Sequence, residues 1–185
     1  MGFCIWLTGL PGSGKTTILN ELSSLLAAWG ISAVVLSVDY IRQVLTPEPK
    51  YTDEERALVY RAIVLMAQLL VDRGGKSVII DGTGNRREFR DLARRLVPEF
   101  AEIYVKCPLV TCMAREASRR GQTVQKDLYK KASERALRGE LPGVSVPYEE
   151  PEVPEVVVQS DFLSPKESAE KIMAYIRLRW PGWVK

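Results

Sequence analysis

The chain has 185 residues, 46% of them hydrophobic, enough for one substantial core and short for two, so a single domain spanning 1–185 is expected. Its 26 basic and 23 acidic side chains leave a formal charge of +3, too little for a nucleic-acid footprint, so any strong positive field must be local to a pocket. Cys4, Cys107 and Cys112, with no histidine, offer neither a disulfide framework nor a histidine-bearing zinc site, and read as small buried residues in a reducing compartment. With no leader pattern and no apolar run of membrane-spanning length, a soluble cytoplasmic protein is expected.

The first apolar run, 3 to 8, reads as a buried strand, and a helix is expected from 14 to 29. Between them lies "GLPGSGKTT", which satisfies G-x-x-x-x-G-K-[ST] in the strand-loop-helix context that motif needs. Gly12 and Gly14 let backbone N–H groups turn inward around phosphate oxygens at the positive end of the helix dipole, and Gly9, Leu10, Pro11, Gly12, Ser13, Gly14, Lys15, Thr16 and Thr17 form the expected ATP-binding stretch. Lys15 is expected to reach the β- and γ-phosphates, and the Thr16 hydroxyl to ligate magnesium. The expected ligands are therefore ATP and Mg2+.

A second strand, 33 to 38, runs into "VDYIRQVL", which puts Asp39 at the sheet edge with Arg42 three residues on. A carboxylate there can hold metal-bound water or accept a hydroxyl proton, and an arginine fork can fix an anion; the competing reading of Asp39 is a helix cap. Arg56 and Arg61 open a helix from 53 to 73. The third strand, 77 to 80, ends in Asp81, a Walker B candidate for magnesium against the competing reading of a turn residue. Arg86, Arg90 and Arg94 then recur every four residues on a helix from 86 to 97, with Arg87 and Arg95 beside them. Such a stripe is expected to be mostly solvated, its first members being those that meet an anion.

A fourth strand, 101 to 105, leads into helical sequence from 110 to 138 with a break. There Arg115, Arg119, Arg120, Lys126, Lys130 and Lys131 form either a basic lid (115–131) or an ordinary solvated face. "LPGVSVPYEEPEVPE" is proline-rich loop, a candidate substrate loop over 139–155, before a fifth strand, 155 to 158. The last helix, 165 to 179, starts with Ser164 as cap, Pro165 in the first turn and Glu167 in the box position; "WPGWVK" is a docked or frayed tail. Strand and helix in alternation give an α/β fold, a mostly parallel sheet with helices on both faces and ligands at the carboxyl ends of the strands. A GTPase's N-K-x-D and an ABC ATPase's L-S-G-G-Q are both missing from the sequence, which favours a small-molecule kinase.

Taken together these residues resemble the adenylyl-sulfate kinase family, which phosphorylates the ribose 3'-hydroxyl of adenosine 5'-phosphosulfate with ATP. The likeness rests on "WLTGLPGSGKTT", "VDYIRQVL", "DEERALVYRAI" with "AQLLVDRGG", "FAEIYVKCPLVTCMARE", "KDLYKKA" and "GELPGVSVPYEEPEVPEVVV". The resemblance implies a five-stranded P-loop kinase sheet, a small-molecule acceptor and frequent homodimers. It implies Asp39 as base for the acceptor hydroxyl, and Arg42, Arg56 and Lys131 as acceptor contacts, to which Arg61, Arg87 and Leu141 are added. Lys15, Asp39 and Asp81 form the catalytic set, and Thr16, Asp39 and Asp81 the metal set. The acceptor side departs from the family: Gly84 stands at a usual serine, Val59 at an asparagine, Leu141 at a stacking phenylalanine and Ser145 at an aspartate, while "EASRRGQTVQ" adds residues after Arg115. Two other readings remain: a kinase of another anionic nucleotide-like or sugar-like hydroxyl compound, and a nucleotide-binding sensor with slow ATPase.

Overall fold

Because every residue of β1 (Cys4–Thr8) is buried, the strand must be covered on both faces. Successive side chains point to opposite sides, so Phe3, Ile5 and Leu7 enter one core and Cys4 and Trp6 the other. The computed structural model describes residues 2–50, 52–118, 129 and 141–183. In it, β1 sits at the centre of a five-stranded sheet of order β2-β3-β1-β4-β5, every pairing parallel. The other strands are β2 (Ala33–Ser37), β3 (Ser77–Asp81), β4 (Phe100–Lys106) and β5 (Val156–Gln159).

The Ile5 face carries α1 (Lys15–Ala28) and α6 (Pro165–Arg179), and the Trp6 face carries α2 (Val38–Leu45), α3 (Asp53–Asp72) and α4 (Arg87–Leu96). A shorter helix, α5 (Leu109–Ala117), follows β4. Ser164 caps α6 by accepting the Glu167 N–H, and Glu167 returns the bond, as the expected capping box requires. The tail docks through Trp180, whose ring stacks on Phe3 at 4.6 Å and whose Nε1–H donates to Glu99 at 2.7 Å. Among the described residues no helix is long and apolar enough to cross a membrane.

The sheet register aligns Leu7 with Asp81, and Asp81 with Ser37. The phosphate loop, Asp81 and the residues after Ser37 therefore leave the sheet along one carboxyl edge, where ligands of this architecture bind.

One expectation needs correction, and another has an exception. The second strand ends at Ser37, and Val38 opens α2, a helix the apolar pattern did not reveal; the Ser37 hydroxyl caps it by accepting the Tyr40 N–H at 3.4 Å. The β-branched run "AVVLSV" simply masks the change of period. The arginine stripe is mostly solvated as expected, with one exception: Arg90 is 1% exposed. Its guanidinium donates to the Glu102 carboxylate, the Gly84 carbonyl and the Glu149 carbonyl, with the Tyr148 ring 5.7 Å away. A charge can be buried there because three acceptors surround it.

Glu102 also takes Arg94 at 3.4 Å, and Arg94 pairs with Glu155, whose carboxylate accepts the Glu102 N–H at 2.7 Å. Burial pushes the Glu155 carboxyl up, but the Arg94 hydrogen bond, the Glu102 N–H and the Arg94 charge together carry it below its ordinary value. The network holds the loop before β5 against α4 and β4.

Gly84 shows why serine does not stand there. Its φ is +53°, and an added Cβ would meet the Trp6 ring at 2.9 Å and Arg90 Cγ at 3.2 Å. The indole cannot yield easily, since its Nε1–H donates to the Gly82 carbonyl at 2.9 Å.

Two outcomes follow. Gly84→Ser is expected to lower unfolding free energy by about 2 kcal/mol, measured by denaturant titration, because it combines left-handed strain with the Trp6 clash. Glu155→Gln is expected to destabilise the protein at neutral pH. A carboxyl lowered on folding stabilises above its unfolded value and loses that contribution as pH falls through the folded value, so the melting-temperature gap between wild type and variant should close below the ordinary 4.5.

Candidate active site

The phosphate loop closes by a turn in which Ser13 N–H donates to the Leu10 carbonyl at 3.1 Å. Gly12 is obligatory: φ is +79°, and a Cβ would meet the Cys112 carbonyl oxygen at 2.4 Å, so α5 packs directly beneath the loop. Lys15 Nζ donates to the Gly9 and Leu10 carbonyls, both at 2.9 Å, across the loop's mouth. No side chain caps α1, whose N-cap is Gly14 in the left-handed region; α4 and α5 also start without one, but only α1 follows the glycine-rich loop. A positive helix end wrapped by glycine-rich backbone suits a phosphate.

Thr16 Oγ1 donates to Asp81 Oδ2 at 2.9 Å, which joins two of the sequence's three metal candidates directly. A hydroxyl and one carboxylate leave most of an octahedral shell to phosphate oxygens and water, which suits magnesium rather than a metal needing a full protein cage. Among the described residues no three acidic or cysteine side chains converge to form such a cage.

Three residues brace the loop in a role that the sequence did not assign to them. Ser160, just after β5, donates its hydroxyl to the Ser13 carbonyl at 2.6 Å. Arg115, counted with the basic lid, donates to the Ser160 hydroxyl at 3.2 Å and carbonyl at 2.7 Å. Tyr129, within "KDLYKKA", donates to the Pro11 carbonyl at 2.7 Å. No local signal marks Ser160, because its partner is 147 positions away. Cys107, Cys112, Tyr129 and Leu141 form a small core with Leu10 and Leu109. Burial, with the neighbouring Cys107, pushes the Cys112 thiol up to about 12, so it is neither a nucleophile nor a ligand at neutral pH. All three cysteines are buried and unbridged, in line with the reading of them as small buried residues.

The acceptor candidates divide. Asp39 is exposed in the first turn of α2; Arg42, 9% exposed, pairs with Glu55 at 3.1 Å; Arg56 is 4% exposed on α3. Arg42 reaches α3 through Glu55, and Arg56 lies one helical turn before Tyr60 on the buried face of that helix, so the two arginines stand where α2 meets α3. Arg61 is exposed on α3, away from the buried face that carries Arg56. Arg87 turns to the proline-rich loop, its guanidinium on Glu152 and its N–H donating to Glu149 at 2.7 Å. Leu141, 5% exposed, packs toward the phosphate loop, and Val59 is wholly buried beside α2 and β3 residues. Lys131, with Arg119, Arg120, Lys126 and Lys130 of the expected lid, lies outside the described residues, as does the start of the 139–155 loop.

The model of the family described as adenylylsulphate kinase matches residues 1–159. The adenylyl-sulfate kinase of Thermodesulfovibrio yellowstonii is 39% identical over 180 residues, covering 95% of this chain and 84% of that one. That of Bacillus licheniformis is 39% identical over 178 residues, covering 94% and 84%. Among solved structures, the Mycobacterium tuberculosis APS kinase in complex with AMPPNP and APS superposes with a TM-score of 0.83 at 29% identity, over 95% of this chain and 98% of that one. A sugar kinase from Janibacter at 18% identity and a TM-score of 0.71 shares the fold.

Thr16→Val keeps the side chain's shape and removes the hydroxyl that meets Asp81. Calorimetric titration should show at least roughly tenfold weaker binding of ATP with magnesium, and little change for ATP with a chelator.

Proposed function

We propose, for a chain that belongs to the adenylylsulphate kinase family and is an ATP-dependent kinase of adenosine 5'-phosphosulfate, the following division of labour among its residues. The supporting observation is the Thr16–Asp81 bond beneath the helix end without a side-chain cap, on the same sheet edge as Asp39.

On this reading the loop from Gly9 to Thr17 binds the β- and γ-phosphates of ATP, and Lys15 neutralises charge that spreads over the transferring group. Thr16, Asp81 and Asp39 supply oxygens toward Mg2+, which screens the phosphates when bound. Asp39 also accepts the proton of the acceptor's 3'-hydroxyl as the oxygen–phosphorus bond forms and the bond to ADP breaks; a carboxylate has an oxygen for each task. Arg42 and Arg56 hold the acceptor's anionic group. Arg61, Arg87, Lys131 and Leu141 complete the acceptor set when the lid (115–131) and substrate loop (139–155) of the single kinase domain close. Catalysis is mostly positioning and charge neutralisation.

The chain works in the cytoplasm on a small molecule, with neither nucleic acid nor membrane as partner. A homodimer is supported by Leu58, Leu65 and Leu69, exposed at helical spacing along α3. A second acceptor, another anionic hydroxyl compound, is favoured by the glycine at position 84 and the wholly buried Val59.

Coupled ADP release with magnesium and ATP tests this. Adenosine 5'-phosphosulfate should stimulate release strongly, and Asp39→Asn should reduce the stimulated rate at least roughly a hundredfold while ATP still binds. Binding of ATP without stimulation would direct the search to the second acceptor class.

A further inference from the structure

Tyr60 is 4% exposed, and its phenol oxygen accepts the Gly84 N–H at 2.9 Å. A phenol also carries one hydrogen to donate, and among the described residues nothing accepts it. Unspent donors are uncommon at such depth, because desolvating one without a partner is unfavourable.

The ring cannot turn the hydroxyl elsewhere. It stacks between Phe89, with centroids 4.6 Å apart, and Trp6, at 5.8 Å. Tyr60 follows Arg56 by one helical turn on the buried face of α3, and the charges of Arg42, Arg56 and Asp39 all reach it. Burial pushes the phenol up from its ordinary value, so the hydroxyl stays protonated and remains a donor at neutral pH.

We propose that the Tyr60 hydroxyl is a specificity-determining contact, donating a hydrogen bond to an oxygen of the acceptor's anionic group between Arg42 and Arg56. Two guanidinium groups beside a fixed donor call for an anion rather than a neutral hydroxyl. A rigid, desolvated donor also discriminates strongly, since an acceptor lacking that oxygen leaves it unpaired. The inference rests on the reading of Arg42 and Arg56, where α2 meets α3, as the acceptor side.

Tyr60→Phe keeps the stacked ring and deletes only the hydroxyl. Steady-state kinetics should show the KM for adenosine 5'-phosphosulfate raised about tenfold or more with the KM for ATP unchanged. Replacing Tyr60 by 3,5-difluorotyrosine, assayed at about pH 6 so that the more acidic phenol stays protonated, retains the Gly84 bond and makes the hydroxyl a better donor. It should lower the acceptor KM, which keeps the inference testable if the phenylalanine variant folds poorly. A loss of melting temperature with both KM values unmoved, or an equal rise in both, overturns the inference and leaves the kinase reading standing. A wild-type protein that adenosine 5'-phosphosulfate does not stimulate overturns the kinase reading, and this inference with it.

Discussion

The side of the molecule that carries Gly84, Tyr60 and the proline-rich loop depends on one buried guanidinium. Arg90 lies under three elements that are far apart in sequence, and it ties Gly84 after β3, Glu102 on β4 and Glu149 in the proline-rich loop to one cation. Leaving a buried charge without its partners costs about 3–5 kcal/mol, so those acceptors are held in place as firmly as they hold the arginine. The positions of Gly84 and Tyr60 follow, because the Gly84 peptide is gripped through its carbonyl by Arg90 and through its N–H by Tyr60. Tyr148, over which the same guanidinium lies, meets the Thr8 hydroxyl at 2.9 Å and so brings the loop to the end of the central strand.

The donor half is built differently. It relies on backbone: a glycine that only α5 can pack against, a helix end without a side-chain cap and three carbonyls of the phosphate loop taken by Lys15 and Tyr129. On the proposed reading, polar groups of the main chain bind phosphate there, which makes this half less sensitive to nearby side chains. The region where α2 meets α3 presents side chains instead, Asp39, Arg42, Arg56 and Tyr60, and on that reading they select what is accepted. This contrast accounts for a conventional phosphate loop beside a glycine at 84 and a valine at 59.

The same contrast explains what could be read in advance. The five strands, α1, α3, α4 and α6 were visible because buried parallel strands are continuous apolar runs and their connections carry helical spacing. α2 was not, because its eight residues follow a β-branched strand without a break in composition. Lys15, Thr16 and Asp81 were legible as a motif and a strand end, whereas Arg90 showed only its helical spacing. Whether a face is wet depends on what covers it, and its cover comes from Glu149, 59 positions along. Ser160, Arg115 and Tyr60 carry no local signature for the same reason.

By itself, then, the sequence determined the α/β order of elements, the phosphate loop and the family, since these rest on contiguous spacing that the chain cannot lose on folding. The tertiary structure decided which arginines are committed to carboxylates, as Arg42, Arg87 and Arg90 are. It also decided why position 84 is glycine and which phenol receives the Gly84 N–H. Charge pairing and steric fit act through space at 3 to 6 Å, between residues that the chain separates by dozens of positions.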